Sequence, residues 1–171
     1  MGKPLPQKTA PDLKVKTVNG KTWTLSPQNP RAFTMIVFYR GLHCPVCKTY
    51  LKDLEGKLDE FRKRGAEVIA ISGDDEERAE SAKEEWDLKQ LTLGYGLDVE
   101  SMRQWGLYIS KSIKESEPSI FCEPGVFWVR PDGELYSAVI NSMPFGRPSF
   151  TDLLSTLDWV MDNKYPARGE A

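Results

Sequence analysis

Apolar residues fall along this chain in two rhythms. Met35-Ile36-Val37-Phe38-Tyr39 and Glu67-Val68-Ile69-Ala70-Ile71-Ser72 are short, nearly continuous apolar runs with the composition of strands buried on both faces of a sheet. Between them, Cys44, Cys47, Leu51, Leu54, Leu58 and Phe61 recur at alternating spacings of three and four, the stripe that an amphipathic helix turns toward a core. That helix is expected to stop near Gly65. Strand, helix and strand of these lengths imply a right-handed parallel crossover.

The flanking segments extend the pattern. Val15 to Leu25 reads as a hairpin around Asn19-Gly20, a pair that supplies the positive backbone angles of a two-residue turn, and Ser26 to Pro30 reads as a loop. Asp74 to Trp86 is acidic at its start, as a helix N-terminus prefers, and carries Ala79, Ala82, Lys83 and Trp86 at helical spacing. Leu91-Thr92-Leu93 predicts a short edge strand, Val99 to Trp105 a short helix, and Ser110 to Ser119, polar and aperiodic, a loop. Gly125 to Val129 and Leu135 to Ile140 flank the turn signal Arg130-Pro131-Asp132-Gly133-Glu134 and predict an antiparallel hairpin. Phe150 to Met161 closes the pattern as an amphipathic helix. Together these elements describe an α/β protein of thioredoxin-like fold: a central mixed sheet, helices on both faces and an N-terminal hairpin added.

Bulk properties narrow the function classes. A chain of 171 residues with 40% hydrophobic content suits one domain over 1–171. Twenty-three Lys and Arg against 25 Asp and Glu leave a net charge of -2 with no long block of one sign, so neither nucleic acid nor an anionic membrane is expected as a partner. The first residues lack the apolar stretch and cleavage site of a secretory signal, no later run is long and apolar enough to span a bilayer, and the cytoplasm is the expected compartment. Gly94, Gly96 and Gly106 lack the strand and helix context of a dinucleotide site. Trp105, Trp128 and Trp159 read as core and helix-packing residues. No cofactor is expected beyond the cysteines themselves.

The candidate chemistry lies in Cys44-Pro45-Val46-Cys47. Three cysteines are too few for a secreted disulfide framework, and two of them in a C-x-x-C beside a strand-helix-strand pattern point to redox use. Pro45 suits the first helical turn, where its missing N–H costs nothing. Cys44 is thereby expected at the helix N-terminus and Cys47 one turn deeper. Unpaired N–H groups and the positive end of the helix dipole stabilise a thiolate at Cys44, which becomes the attacking sulfur. Cys47 is then placed to resolve a mixed disulfide or a sulfenic acid. Cys122 reads first as a packing residue, with a resolving thiol or an intermolecular bridge as its functional options. His43, the only histidine, could favour the thiolate by charge or by hydrogen bonding or be an exposed loop residue with no role, and Arg40 could bring positive charge to the pair or be simply solvated. Lys48 and Lys52 read as helix surface. The competing function is a metal-binding module in which Cys44, Cys47 and His43 or Cys122 ligate zinc or copper(I), although tetrahedral zinc usually takes two spaced pairs and this chain has one.

Five stretches carry a family resemblance: Ala10-Pro11-Asp12-Leu13 followed by Asn19-Gly20-Lys21; Phe38-Tyr39-Arg40-Gly41; Ile69-Ala70-Ile71-Ser72-Gly73-Asp74; and Val129-Arg130-Pro131-Asp132-Gly133. In that order, from about Pro11 to Ile140, they resemble the alkyl hydroperoxide reductase/thiol-specific antioxidant (AhpC/TSA) branch of the thioredoxin superfamily. Phe-Tyr-Arg-Gly before a C-x-x-C resembles its peroxiredoxin-like members. Against the typical Pro-x-x-x-Thr-x-x-Cys motif, Arg40 falls at the proline, Cys44 at the threonine and Cys47 at the peroxidatic cysteine. The arginine that the family carries before the late strand is replaced here by Glu123-Pro124-Gly125. By the same resemblance Pro124 corresponds to the cis-proline that thioredoxins pack against their cysteine pair, with Cys122 then nearby, while Val37 stands where thioredoxins have a buried aspartate. The resemblance implies hydroperoxide or disulfide as substrate, a dithiol electron donor such as a thioredoxin- or glutaredoxin-type protein, and compatibility with a homodimer. Peroxide reduction and disulfide exchange both remain open at this level: the C-x-x-C, Pro45 and the Pro124 position favour exchange, the overall resemblance favours peroxide, and the loss of the family's threonine and arginine argues against fast peroxide turnover.

Overall fold

The computed structural model describes residues 2–26 and 28–171, so Pro27 of the expected Ser26–Pro30 loop lies outside the described residues. Its elements are β1 (Lys14–Thr17), β2 (Thr22–Thr24), β3 (Phe33–Phe38), α1 (Pro45–Lys63), β4 (Ala66–Ile71), α2 (Glu76–Glu85) and β5 (Thr92–Tyr95). They continue with α3 (Val99–Gln104), β6 (Ile109–Lys111), β7 (Ile120–Cys122), β8 (Gly125–Val129), β9 (Leu135–Ile140) and α4 (Phe150–Asn163). Seven strands form one sheet in the order β2-β1-β5-β4-β3-β8-β9, and β6 and β7 form a separate ribbon. β3 runs parallel to β4 and antiparallel to β8, which makes the sheet mixed, as the element order implied.

The central strand explains why the sheet needs cover on both sides. All six residues of β3 are buried, and because successive side chains point to opposite faces, Phe33, Met35 and Val37 enter one core while Ile36 and Phe38 enter the other. The first core takes Leu51, Leu54, Leu58 and Phe61 of α1 and Phe150, Leu154, Leu157 and Val160 of α4. The second takes Met102 of α3 with Trp105 just beyond it, the indole set against Phe38 and Phe127 at ring separations of 5.6 and 5.0 Å. α1 follows its three-and-four stripe from Cys47 to Phe61, and Gly65 takes a positive φ of 85° where the helix hands over to β4.

Five expectations are corrected. The first hairpin turns through three residues, Val18 to Gly20, with positive φ only at Gly20: Gly20 N–H donates to Thr17 O at 3.0 Å, while the Asn19 side chain accepts from Thr17 and Lys21 and so serves the turn without a left-handed backbone. β5 is interior, because the hairpin adds β1 to its free side with Lys16 opposite Tyr95 and Thr17 opposite Gly94. The segment expected as a loop over Ser110–Ser119 begins in β6, which pairs with β7. β6 is three residues long and buries none of them fully, so no alternation shows in its sequence. α2 starts at Glu76, leaving Asp74 buried ahead of it with Asp75 as the cap. Trp159 is 52% exposed on α4, its ring against Tyr165, and is not a core residue.

Candidate active site

The site is assembled where β3 ends and α1 begins. Cys44 is the N-cap of α1 and Pro45 its first residue; the Cys44 Sγ accepts the backbone N–H of Cys47 at 3.2 Å, in the place a serine or aspartate oxygen occupies in other caps. A capping sulfur faces the free amides and the positive end of the helix dipole, so the anion is the form this position favours. Hydrogen bonding from Cys47, first from its thiol and then from its backbone, with Arg40 and Arg147 nearby, pulls the Cys44 thiol down to about 6 against the burial that opposes it. Cys47, one turn deeper and fully buried, is pushed well above the usual thiol range by burial and by its hydrogen bond to Cys44. The first proton of the pair therefore leaves Cys44, and Cys47 keeps the second.

The approach to Cys44 is held by a buried carboxylate. Gly41 has φ 136°, and a β-carbon there would lie 2.6 Å from Asp74 Oδ1. Asp74 Oδ2 accepts Leu42 N–H at 2.8 Å, and Arg78 Nε lies 3.3 Å from Oδ1. Gly41→Ala is expected to lose at least about 1–3 kcal/mol of stability from backbone strain alone, read as a lower urea midpoint.

Two guanidinium groups flank the sulfurs. Arg40 Nε lies 3.0 Å from Glu123 Oε2, its guanidinium carbon sits 4.9 Å from the centre of the Phe121 ring, and the group is close enough to Cys44 to help hold its thiolate. Arg147, on the loop between β9 and α4, donates through Nη2 to Cys47 Sγ at 3.0 Å, with Cys44 Sγ at 3.9 Å. Its Nε donates to Pro144 O at 2.7 Å, its charge lies over the Tyr50 ring at 4.9 Å, and Tyr50 in turn donates to Pro148 O at 2.6 Å. Arg147, Glu123 and Asp74 were not among the sequence candidates. Arg147 stands one hundred residues from Cys47, and nothing in Gly146-Arg147-Pro148 marks it locally.

The remaining candidates divide. His43 sits edge-on to Phe121 at 4.7 Å, and burial and then Arg40 hold it down to about 4, so it is neutral near pH 7; neither ring nitrogen has a hydrogen-bond partner. Both roles expected of it toward the thiolate are therefore corrected. Cys122 is buried, donates to Tyr39 O at 3.3 Å and is pushed up to about 12 by burial, which suits packing and leaves an intermolecular bridge no exposed sulfur. Pro124 is buried at the head of β8; since Phe38 pairs with Gly125, Pro124 lies across from Tyr39, and Glu123 across from Arg40. Lys48 and Lys52 are exposed. Among the described residues no group of three or more His, Cys, Asp and Glu is placed to hold a metal ion, so the metal-binding alternative finds no ligand set. Nor is any described helix long and apolar enough to cross a membrane.

The family model of the AhpC/TSA family matches residues 6–138, most of the chain. The chain belongs to that family. Membership makes it an oxidoreductase of the peroxiredoxin kind. The same fold recurs in solved structures at low identity. Peroxidoxin BcpB from Mycobacterium tuberculosis matches with a TM-score of 0.74 and 17% identity over 92% of this chain and 98% of that one. The mitochondrial 2-Cys peroxiredoxin from Plasmodium falciparum gives 0.75 and 18% over 94% and 96%, and a peroxiredoxin-like protein from Aquifex aeolicus 0.74 and 17% over 93% and 90%. None of the curated proteins matches the sequence. The thioredoxin-like fold expected from the element order is thus the fold of the AhpC/TSA family, and the family match ends before the loop that carries Arg147.

Proposed function

We propose that the chain reduces hydroperoxides through Cys44 and Cys47, carrying the electrons on this pair without a prosthetic group. The Cys44 thiolate attacks the distal oxygen of the peroxide, the O–O bond breaks, and Cys44 becomes a sulfenic acid while the alkoxide or hydroxide takes up a proton. Cys47 then attacks the Cys44 sulfur and expels water, closing a Cys44–Cys47 disulfide. A dithiol protein of the thioredoxin or glutaredoxin type returns two electrons, which suits a reducing cytoplasm.

The observation that carries this reading is the capping geometry of Cys44: a thiol pulled down to about 6 by amide, thiol and guanidinium donors, with a second thiol one turn away. Both cations reach the pair, with Arg147 closer to Cys47 than to Cys44. Arg40 serves the attacking thiolate, while Arg147 lies against Cys47, whose proton must leave once Cys44 has lost its negative charge as a sulfenic acid. Cys44 is 1% and Cys47 0% exposed, which favours a small oxidant over a bulky one. Reduction of protein disulfides is the second reading, supported by the C-x-x-C spacing.

Intact mass of the reduced protein after one equivalent of hydrogen peroxide separates the two. Loss of two hydrogens is expected; an unchanged mass overturns peroxide reduction and leaves disulfide exchange.

A further inference from the structure

Resting on the reading of Cys44 as the attacking thiolate, we propose that Glu123 is a positioning residue that sets the acidity of Cys44 through Arg40, by dividing the guanidinium charge between carboxylate and sulfur. A carboxylate 3% exposed is costly to bury unless it is paired. This one is paired: Oε2 lies 3.0 Å from Arg40 Nε as an ion pair without hydrogen-bond alignment, Oε1 accepts the Ser110 hydroxyl at 2.7 Å, and the backbone N–H of the same residue donates to Tyr108 O at 2.8 Å. Arg40 is thus fixed from three sides, by Glu123, by the Phe121 face and by Cys44, with its side chain 17% exposed.

The charge arrangement is unusual for the position. Where the family resemblance places an arginine before the late strand, this chain has an acid, and where it places a proline, this chain has the arginine that the acid binds. The ribbon of β6 and β7 supplies Ser110, Phe121 and, next to its last strand residue, Glu123, so a segment apart from the main sheet holds the cation beside the reactive sulfur.

Few other charges compete. Cys44 faces Arg40, Cys47 and Arg147. Arg40 faces Cys44, Cys47 and Glu123, with Glu117 of the β6–β7 loop acting on both Arg40 and His43. Arg78 and Lys114 lie beyond His43, which is neutral near pH 7. Within this shielded group an ion-pair partner retains much of its effect, because little water screens it. With Glu123 ionised, Arg40 stabilises the thiolate only in part, and a less stabilised thiolate is the stronger nucleophile. Without the carboxylate the whole guanidinium charge falls to Cys44, which becomes more acidic and less reactive as an anion.

The test follows Cys44 in the reduced protein across pH by thiolate absorbance at 240 nm, checked by alkylation with iodoacetamide, with no peroxide present, so it stands or falls apart from the peroxidase reading. Glu123→Gln keeps an acceptor for Ser110 and is expected to move the Cys44 midpoint from about 6 to roughly 5–5.5. Arg40→Met is expected to raise it to roughly 7. In the Arg40→Met background, Glu123→Gln should then move it by less than half as much. A midpoint unchanged by Glu123→Gln, or moved equally in both backgrounds, overturns the proposal: the first makes Glu123 structural only, and the second makes it act on Cys44 directly.

Discussion

Cys44→Ser is expected to reduce peroxide turnover by on the order of a thousandfold or more, since it removes the proposed nucleophile. Cys47→Ser should instead complete the first step and stop there, leaving a sulfenic acid on Cys44 that a dimedone-type reagent traps at stoichiometric yield. The asymmetry follows from depth: Cys44 caps the helix, while Cys47 is fully buried and held protonated. The pH dependence has the sign of an acid whose anion reacts. With Cys44 at about 6, the rate of its oxidation in single turnover should be half-maximal near that pH, fall about tenfold for each further pH step downward, and be nearly flat above pH 7. A Cys47→Ser protein that consumes no peroxide, beside a Cys44→Ser protein that does, would reverse the assignment in favour of the family's peroxidatic position.

Arg147→Gln is the second large effect. Its Nη2 lies 3.0 Å from Cys47 and 3.9 Å from Cys44, so the closing of the disulfide should slow more than the attack on peroxide. Loss of a charged hydrogen bond of about 1.5–3 kcal/mol corresponds to roughly 10–100-fold in the closing step. Sulfenic acid on Cys44 should accumulate in rapid-quench samples where the wild type shows only disulfide. Arg147 also ties its own loop through Pro144 O, so Arg147→Lys is the control: it restores the charge without the planar fork and should recover part of the closing rate. Equal slowing of both steps would mean that the residue acts by holding the loop and not through Cys47.

Much of the site was legible along the chain because its main parts are local. An apolar run, a glycine, two cysteines around a proline and a three-and-four stripe prescribe a strand, a sharp entry and a helix whose first turn carries the thiols, and β3, Gly41 and α1 realise that order. The hairpin of β8 and β9 was legible for the same reason, since its two strands and the turn signal between them are contiguous. What failed depended on distant neighbours. β5 looks like an edge from its own short length and is interior because the N-terminal hairpin pairs with it. His43 looks like a titratable partner for a thiolate and is neutral because Phe121 covers it and Arg40 stands beside it.

The sequence by itself determined the central strand, the cysteine helix, the placement of Cys44 above Cys47 and the family, because each rests on the spacing of side chains within one element or on motifs in a fixed order. Only the tertiary structure decided which charges surround the sulfurs. The register of β3 against β8 sets Glu123 opposite Arg40, and the return of the chain into α4 carries Arg147 to Cys47. The physical reason is one of range: backbone periodicity is felt within a few residues, whereas the energy of a buried charge depends on whichever groups the folded chain brings within a few ångströms of it.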